Sequence, residues 1–211
     1  MIRFVTFEGG DGTGKTTQIR ALENYLTQRG RVCVVTREPG DTSLGKLARQ
    51  ILLQVGDYEV APATELFLYL ADRAQHVSEI IRPALAAGKI VLCDRFTDST
   101  LAYQGYGRGI DLKLLEQLND LADAGVRPDL TFLLDCPAAL GLSRTSQRQS
   151  EAGQPREDRF EREKVEFHER IRAGFLEMAR AEPARLRVID AARSVEAVWR
   201  DIQSIVEREF F

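Results

Sequence analysis

The chain has 211 residues, 44% hydrophobic and 29% charged, with a formal net charge of −3. That length suits one ordinary domain with a substantial core, and the composition excludes a disordered or membrane-embedded chain. The mild acidity provides no broad electrostatic footprint for nucleic acid, so any phosphate must be bound locally.

The N-terminal stretch Met1 to Glu8 has no leader-peptide pattern, and no run approaches about 18 uncharged apolar residues, so a cytoplasmic protein with no membrane partner is expected. Cys33, Cys93 and Cys136 form no C-x-x-C pair and sit in apolar runs, which fits buried thiols in a reducing compartment. His76 and His168 stand alone in helical patterns, without a second metal ligand nearby.

The first element is a strand, Ile2 to Thr6, with a continuous apolar character that suits burial on both faces of a parallel sheet. It leads into Gly9-Gly10-Asp11-Gly12-Thr13-Gly14-Lys15-Thr16, which fits G-x-x-x-x-G-K-[ST] at every fixed position. A helix carrying Ile19, Leu22 and Leu26 follows directly, completing the strand–loop–helix setting that the motif requires. Glycines let successive backbone N–H groups turn toward phosphate oxygens, and the new helix adds its positive end. Lys15 is expected to reach the β- and γ-phosphates of a nucleoside triphosphate, and the Thr16 hydroxyl to ligate Mg²⁺. Thr17 completes the expected ATP-binding set of residues 9–17.

A second strand, Val32 to Thr36, ends in Thr36-Arg37-Glu38-Pro39-Gly40. Leu44, Leu47, Ala48, Ile51 and Leu52 then recur at helical spacing, predicting a helix whose stripe faces the sheet. Pro62 opens a further helix continuing through Leu66, Leu70, Ala74 and Val77. The third strand, Ile90 to Cys93, runs into Asp94-Arg95-Phe96. Leu112, Leu115, Leu118 and Leu121 mark another amphipathic helix, and Leu130 to Leu134 a fourth strand. Residues 145–159 lack apolar periodicity and include Gly, Ser, Gln and Pro, predicting a mobile loop between two helices. The fifth strand, Leu186 to Ile189, precedes a C-terminal helix marked by Val195, Val198, Trp199, Ile202, Ile205 and Val206. Strands alternating with helices predict an α/β domain with a mainly parallel sheet. Arginines at the strand ends, Arg37 and Arg95, together with Arg49 and Arg73, converge where such sheets bind ligands.

With these motifs in place, the chain resembles the thymidylate kinase family. The pattern is carried by Phe7-Glu8-Gly9-Gly10-Asp11-Gly12, by Thr36 to Gly40, by Arg73-Ala74-Gln75-His76, by Asp94-Arg95-Phe96, and by Asp98-Ser99-Thr100-Leu101-Ala102-Tyr103-Gln104-Gly105. Asp41 stands where many bacterial members have a second glycine, a difference expected to affect only the local turn. The resemblance implies a P-loop NTPase three-layer fold with a five-stranded parallel sheet, a homodimer, and transfer of a phosphoryl group from Mg²⁺-bound ATP to dTMP.

It also implies roles for individual residues. Tyr69 resembles the aromatic that stacks on thymine, Arg73 the donor to its exocyclic oxygen, and Thr100 and Gln104 the pair reading the base edge. Tyr103 resembles the ring that leaves no room for a 2′-hydroxyl, and Asp11 the carboxylate near the 3′-hydroxyl. Arg37, Arg49 and Arg95 resemble the acceptor-phosphate group, with Glu38 and Ser99 beside them. The P-loop has Gly12 where some members carry an arginine, so the segment 145–159 is expected to act as a lid supplying the catalytic guanidinium. Arg148 and Arg156 are the candidates for that role, Arg159 is a further lid arginine, and Arg144 is expected against the adenine. A kinase for another monophosphate would need different base-edge groups, and no guanine-reading N-K-x-D pattern points to a GTP switch.

Overall fold

The structure is a computed structural model that describes residues 2–54, 59–152 and 159–211. Five strands, β1 (Phe4–Glu8), β2 (Cys33–Arg37), β3 (Ile90–Asp94), β4 (Leu130–Asp135) and β5 (Leu186–Asp190), pair in parallel in the order β2-β3-β1-β4-β5. The parallel five-stranded sheet agrees with the expectation. β1 lies two residues later than its apolar run suggests, because the backbone N–H groups of Arg3 and Phe4 donate to the Asp129 carboxylate and ladder pairing runs from Phe4. Its last residue, Glu8, is therefore still in the sheet and fully buried.

Alternation along the strands divides the core. Val5, Phe7, Leu92, Leu130, Phe132 and Leu134 face one side, where α1 (Lys15–Thr27) and α9 (Val195–Phe210) cover them with Ile19, Leu22, Leu26, Val198 and Ile202. Phe4, Val91 and Cys93 face the other side. That side is covered by the long helix that runs from α3 (Pro62–His76) through a π-helical turn, Val77–Ile81, into α4 (Arg82–Ala86). β4 and β5 are covered on this side by α8 (Val165–Ala181), which packs Phe167, Ile171 and Phe175 around Leu133 and Leu186. A short helix α5 (Thr97–Thr100) continues as a π-helical stretch, Leu101–Gly107, and α6 (Leu112–Asp123) packs outside it.

Two sequence expectations change. α2 (Ser43–Leu53) packs on α3 rather than on the sheet, so only Ala48 and Leu52 of its stripe are buried, whereas Leu44, Leu47 and Ile51 are 48%, 59% and 43% exposed. The apolar stripe is real; the sheet is not its partner. In the segment read as a loop from 145, α7 (Ala138–Ala152) continues as helix through its first eight residues. Gln, Ser, Arg and Glu are adequate helix residues on a solvated face, so the missing apolar periodicity signals exposure rather than a chain break. Arg156 lies outside the described residues.

Candidate active site

The P-loop turns between β1 and α1, and glycine is required at two of its positions. Gly9 has φ 127° and a Cβ there would lie 2.3 Å from the carbonyl oxygen of Leu134. Gly12 has φ 73° and a Cβ there would lie 2.0 Å from the Gly141 carbonyl oxygen, while a Cβ on Gly141 would lie 2.3 Å from that of Asp11. The loop and the first turn of α7 are thus interlocked backbone to backbone. Gly141→Ala is expected to displace the loop and lower phosphoryl transfer at least about tenfold, since neither backbone can yield cheaply. Steady-state rates beside a melting curve would check this.

Lys15 is buried, and its Nζ donates to the carbonyls of Gly9 and Gly10 at 3.1 and 2.9 Å, which holds the ammonium across the loop mouth. Burial, reinforced by the charge of Arg95, moves the amine below its ordinary pKa. The Thr16 hydroxyl donates to Asp94 Oδ2 at 3.0 Å. Asp94 ends β3 beside Phe7 of β1, so the sheet register places this carboxylate next to the loop. A hydroxyl and a carboxylate in contact at a phosphate-binding loop form an oxygen donor set suited to Mg²⁺.

Arg95 has φ 71°, a left-handed conformation rare for a residue with a side chain. It is stabilised from behind. The Phe96 N–H and the Ser99 hydroxyl donate to the two oxygens of Glu8 at 2.7 and 2.6 Å, and the Arg95 N–H donates to the Phe7 carbonyl at 3.0 Å. The guanidinium is thereby directed onto the P-loop, donating to Asp11 Oδ1 at 2.6 Å, to the Gly9 carbonyl at 3.0 Å and to Ser99 Oγ at 3.2 Å. Burial pushes the Asp11 carboxyl up, but Arg95 and Lys15 outweigh it and leave Asp11 below its ordinary value. The Tyr103 hydroxyl donates to the other Asp11 oxygen at 3.3 Å.

Burial, and then the charge of Asp98, push Glu8 up from 4.5 to about 8. A raised carboxyl pKa means that the folded protein keeps a proton the unfolded chain has already released. The contribution to stability is fully present below pH 4.5 and is lost as pH rises through about 8. Glu8→Gln is therefore expected to flatten the fall in melting temperature across that window. An unchanged pH profile in the variant would contradict the assignment.

Two cavities meet at Asp11, Glu38, Arg49 and Arg95. The larger, about 1380 Å³, is lined by Gly12, Gly14, Lys15, Thr16 and Thr17, by Arg37, and by Thr145, Arg148 and Glu161 from across the cleft. The smaller, about 570 Å³, is lined by Tyr69, Arg73, Phe96, Ser99, Thr100, Tyr103, Gln104 and Phe160. The polar, phosphate-type cavity and the aromatic cavity share one wall carrying two arginines, the arrangement needed to bring two phosphate-bearing ligands end to end.

Most of the expected residues fall on these walls. Arg73 is fully buried and largely committed to the protein, donating to Glu38, Thr100, Asn119 and the Phe96 carbonyl. Arg49 donates to the Pro39 carbonyl at 2.9 Å, and Arg37 pairs with Asp41 at 3.2 Å. Asp41 also accepts from Thr36 Oγ1 and the Arg37 N–H, so the carboxylate closes this turn through its own side chain. Arg148 projects from α7 into the larger cavity. Arg144, by contrast, donates to the carbonyls of Ala191 and Ala192 after β5 and lines neither cavity. Arg159 turns to the base side, donating to the Leu52 carbonyl and pairing with buried Glu65.

Sequence reasoning missed Phe160, Glu65 and Asn119 as parts of this site. Phe160 caps the smaller cavity, with its ring centroid 5.6 Å from that of Tyr103 and 6.5 Å from that of Tyr69. Nothing local marks it, since its three-residue 3₁₀ turn, Phe160–Arg162, follows an aperiodic segment. The lone histidines are hydrogen-bonded core residues: His76 bridges Thr36 and Glu38, and His168 meets the Phe160 carbonyl.

The comparisons with known proteins agree with this geometry. The family model for thymidylate kinase matches residues 7–202. The thymidylate kinase of Solidesulfovibrio magneticus is 55% identical over 204 residues, covering 96% of this chain and 98% of that one. That of Geobacter sulfurreducens is 55% identical over 203 residues, covering 96% and 95%. The crystal structure of thymidylate kinase from Ehrlichia chaffeensis superposes with a TM-score of 0.77 at 37% identity, covering 97% of this chain and 98% of that one. Matches of this extent, together with a P-loop and an aromatic cavity joined at an arginine-bearing wall, place the chain in the thymidylate kinase family.

Proposed function

We propose that the smaller cavity binds dTMP, that the larger binds ATP, and that the shared wall of Asp11, Arg49 and Arg95 is where the two phosphate groups meet. The reaction is the family's: the γ-phosphoryl of ATP passes to dTMP, giving ADP and dTDP for dTTP synthesis. The observation that carries the site reading is the common wall, since phosphoryl transfer needs in-line positioning and charge stabilisation more than covalent chemistry.

In this reading Tyr69 and Phe160 cover the flat base, with Arg73, Thr100 and Gln104 at its polar edge. Tyr103 fills the space below the sugar, and its hydrogen bond to Asp11 suits a carboxylate that meets the 3′-hydroxyl. Arg37, Arg49 and Arg95 serve the acceptor phosphate. Thr16 and Asp94 would hold Mg²⁺, whose chemistry is to neutralise charge on the β- and γ-oxygens. In the same reading Arg148, which lines the larger cavity, approaches the transferring group, with the segment around it as lid. Three free cysteines and the absence, among the described residues, of any helix able to cross a membrane accord with a cytoplasmic enzyme.

The test is a pair of variants assayed for both substrates. Arg73→Ala and Gln104→Ala are each expected to raise the KM for dTMP at least about tenfold with little change for ATP, because a site built to hydrogen-bond a base loses much when its edge groups are removed. Equal effects on both substrates would move the thymine site elsewhere.

A homodimer is part of the same proposal. Leu44, Leu47 and Ile51 on α2, Phe67 on α3, and Leu114 and Leu121 on α6 are exposed on three helices that pack side by side. Such a concentration of exposed apolar side chains is characteristic of a protein–protein interface. Leu47→Glu is expected to shift the sedimenting species toward monomer, and an unchanged dimer would place the interface on another face.

A further inference from the structure

Glu65 lines neither cavity, yet it is a fully buried carboxylate in the first turn of α3, bonded to the cavity residue Gln104. Its Oε1 accepts from Gln104 Nε2 at 2.9 Å. Its Oε2 accepts from Arg108 Nη2 at 3.3 Å and from Arg159 Nη2, and Arg108 Nε approaches Oε1 at 3.4 Å. The Gln104 amide is buried, lines the cavity, and makes no other hydrogen bond among the described residues.

A carboxylate clamped by two guanidiniums serves its neighbours as an acceptor. Turning the amide over would set Gln104 Oε1 against Glu65 Oε1, two buried acceptors 2.9 Å apart and too close to hold a water between them, and an unpaired group of that kind is costly. The amide orientation is therefore dictated by chemistry. Nε2 is committed to Glu65, and Oε1 remains for the ligand.

We propose that Glu65 is a specificity-positioning residue, holding Gln104 so that the cavity meets the base with an acceptor and admits pyrimidines that carry a hydrogen on ring nitrogen 3. Thymine and uracil have that hydrogen; cytosine presents a lone pair there and meets oxygen against lone pair. Glu65 touches no substrate and acts only through Gln104. The proposal rests on the reading that Gln104 faces the base edge.

Glu65→Gln tests it with nearly unchanged shape. The two arginines meeting at Oε2 claim the carbonyl of the new amide, which leaves its NH₂ facing Gln104 and turns the Gln104 amide over, Nε2 toward the base. The measurement is kcat/KM for dTMP, dUMP and 5-methyl-dCMP at saturating ATP, in wild type, Glu65→Gln and Gln104→Ala. We expect Glu65→Gln to lower dTMP and dUMP together and to raise 5-methyl-dCMP, so that the preference for dTMP over 5-methyl-dCMP falls at least about tenfold, with the KM for ATP unchanged. A residue that merely supports the fold would lower all three alike and leave the ratio in place. If Gln104→Ala collapses the ratio while Glu65→Gln leaves it intact, the role of Glu65 is overturned and the base-edge reading stands. If Gln104→Ala leaves the ratio intact, Gln104 does not read ring nitrogen 3, the discrimination belongs to the other edge groups such as Arg73, and the proposal fails.

Should Glu65→Gln not fold, competition on the wild-type enzyme decides. A fixed acceptor predicts that 5-methyl-dCMP displaces bound dTMP only at concentrations at least about a hundredfold higher than dUMP requires, beyond any difference due to the methyl group. Comparable displacement would show an amide free to turn and would overturn the proposal.

Discussion

Replacing Lys15 by alanine is expected to slow phosphoryl transfer by about a thousandfold, roughly 4 kcal/mol of transition-state stabilisation, while the fold survives. The ammonium is buried at the loop mouth, and burial together with Arg95 already disfavours its charge. A cation held there at such cost is positioned for negative charge that arrives with ATP and grows on the transferring group. Its partners in the structure are the carbonyls of Gly9 and Gly10, which water in the open cleft can serve once the amine is gone. No core contact is lost. Single-turnover transfer at saturating ATP and dTMP, beside a melting curve, separates the two effects, and near-normal transfer would remove the P-loop lysine from the mechanism.

The second large effect is expected at Arg148. A guanidinium that neutralises the equatorial oxygens of a transferring phosphoryl is worth about 10³ or more in kcat. The P-loop carries Gly12 where an arginine could stand, and Gly12 cannot be replaced, since its Cβ would occupy the Gly141 carbonyl. That same contact anchors the start of α7 to the P-loop, and the helix then carries Arg148 back over the phosphate cavity two turns later. Arg148→Ala is expected to lower the single-turnover rate at least about a hundredfold with little change in the KM for dTMP, and Arg148→Lys to recover only part of it, because a point charge lacks the fork. If Arg148→Ala keeps its rate and Arg156→Ala loses it, the finger lies in residues 153–158. Wild-type rates in the double variant would refute a catalytic lid and leave the role to an arginine outside it, such as Arg95, which lines the same cavity. Arg144 and Arg159 are unsuited to the role, being held by the Ala191 and Ala192 carbonyls and by Glu65 respectively.

The sequence by itself determined the five strands, the P-loop and its helix, the family, and most of the walls of the site. These are local or motif-borne: a strand buried on both faces reads as an apolar run, and a phosphate loop is constrained to glycines and one lysine by backbone geometry. Which surface covers a stripe is decided by packing between distant segments, and there the sequence misled. The α2 stripe is as apolar as a core stripe, but the helix packs on α3 and leaves Leu44, Leu47 and Ile51 outside. The tail of α7 shows no apolar periodicity because, past the buried Thr145, residues 146–151 are exposed or half-exposed, and it is helical all the same. Only tertiary structure brought Glu65 behind Gln104, 39 residues away in sequence, and Phe160 over Tyr69 and Tyr103. A carboxylate in an ordinary helix turn and an aromatic after an aperiodic segment carry no local mark of their partners, because those contacts exist only where the chain has folded distant segments together.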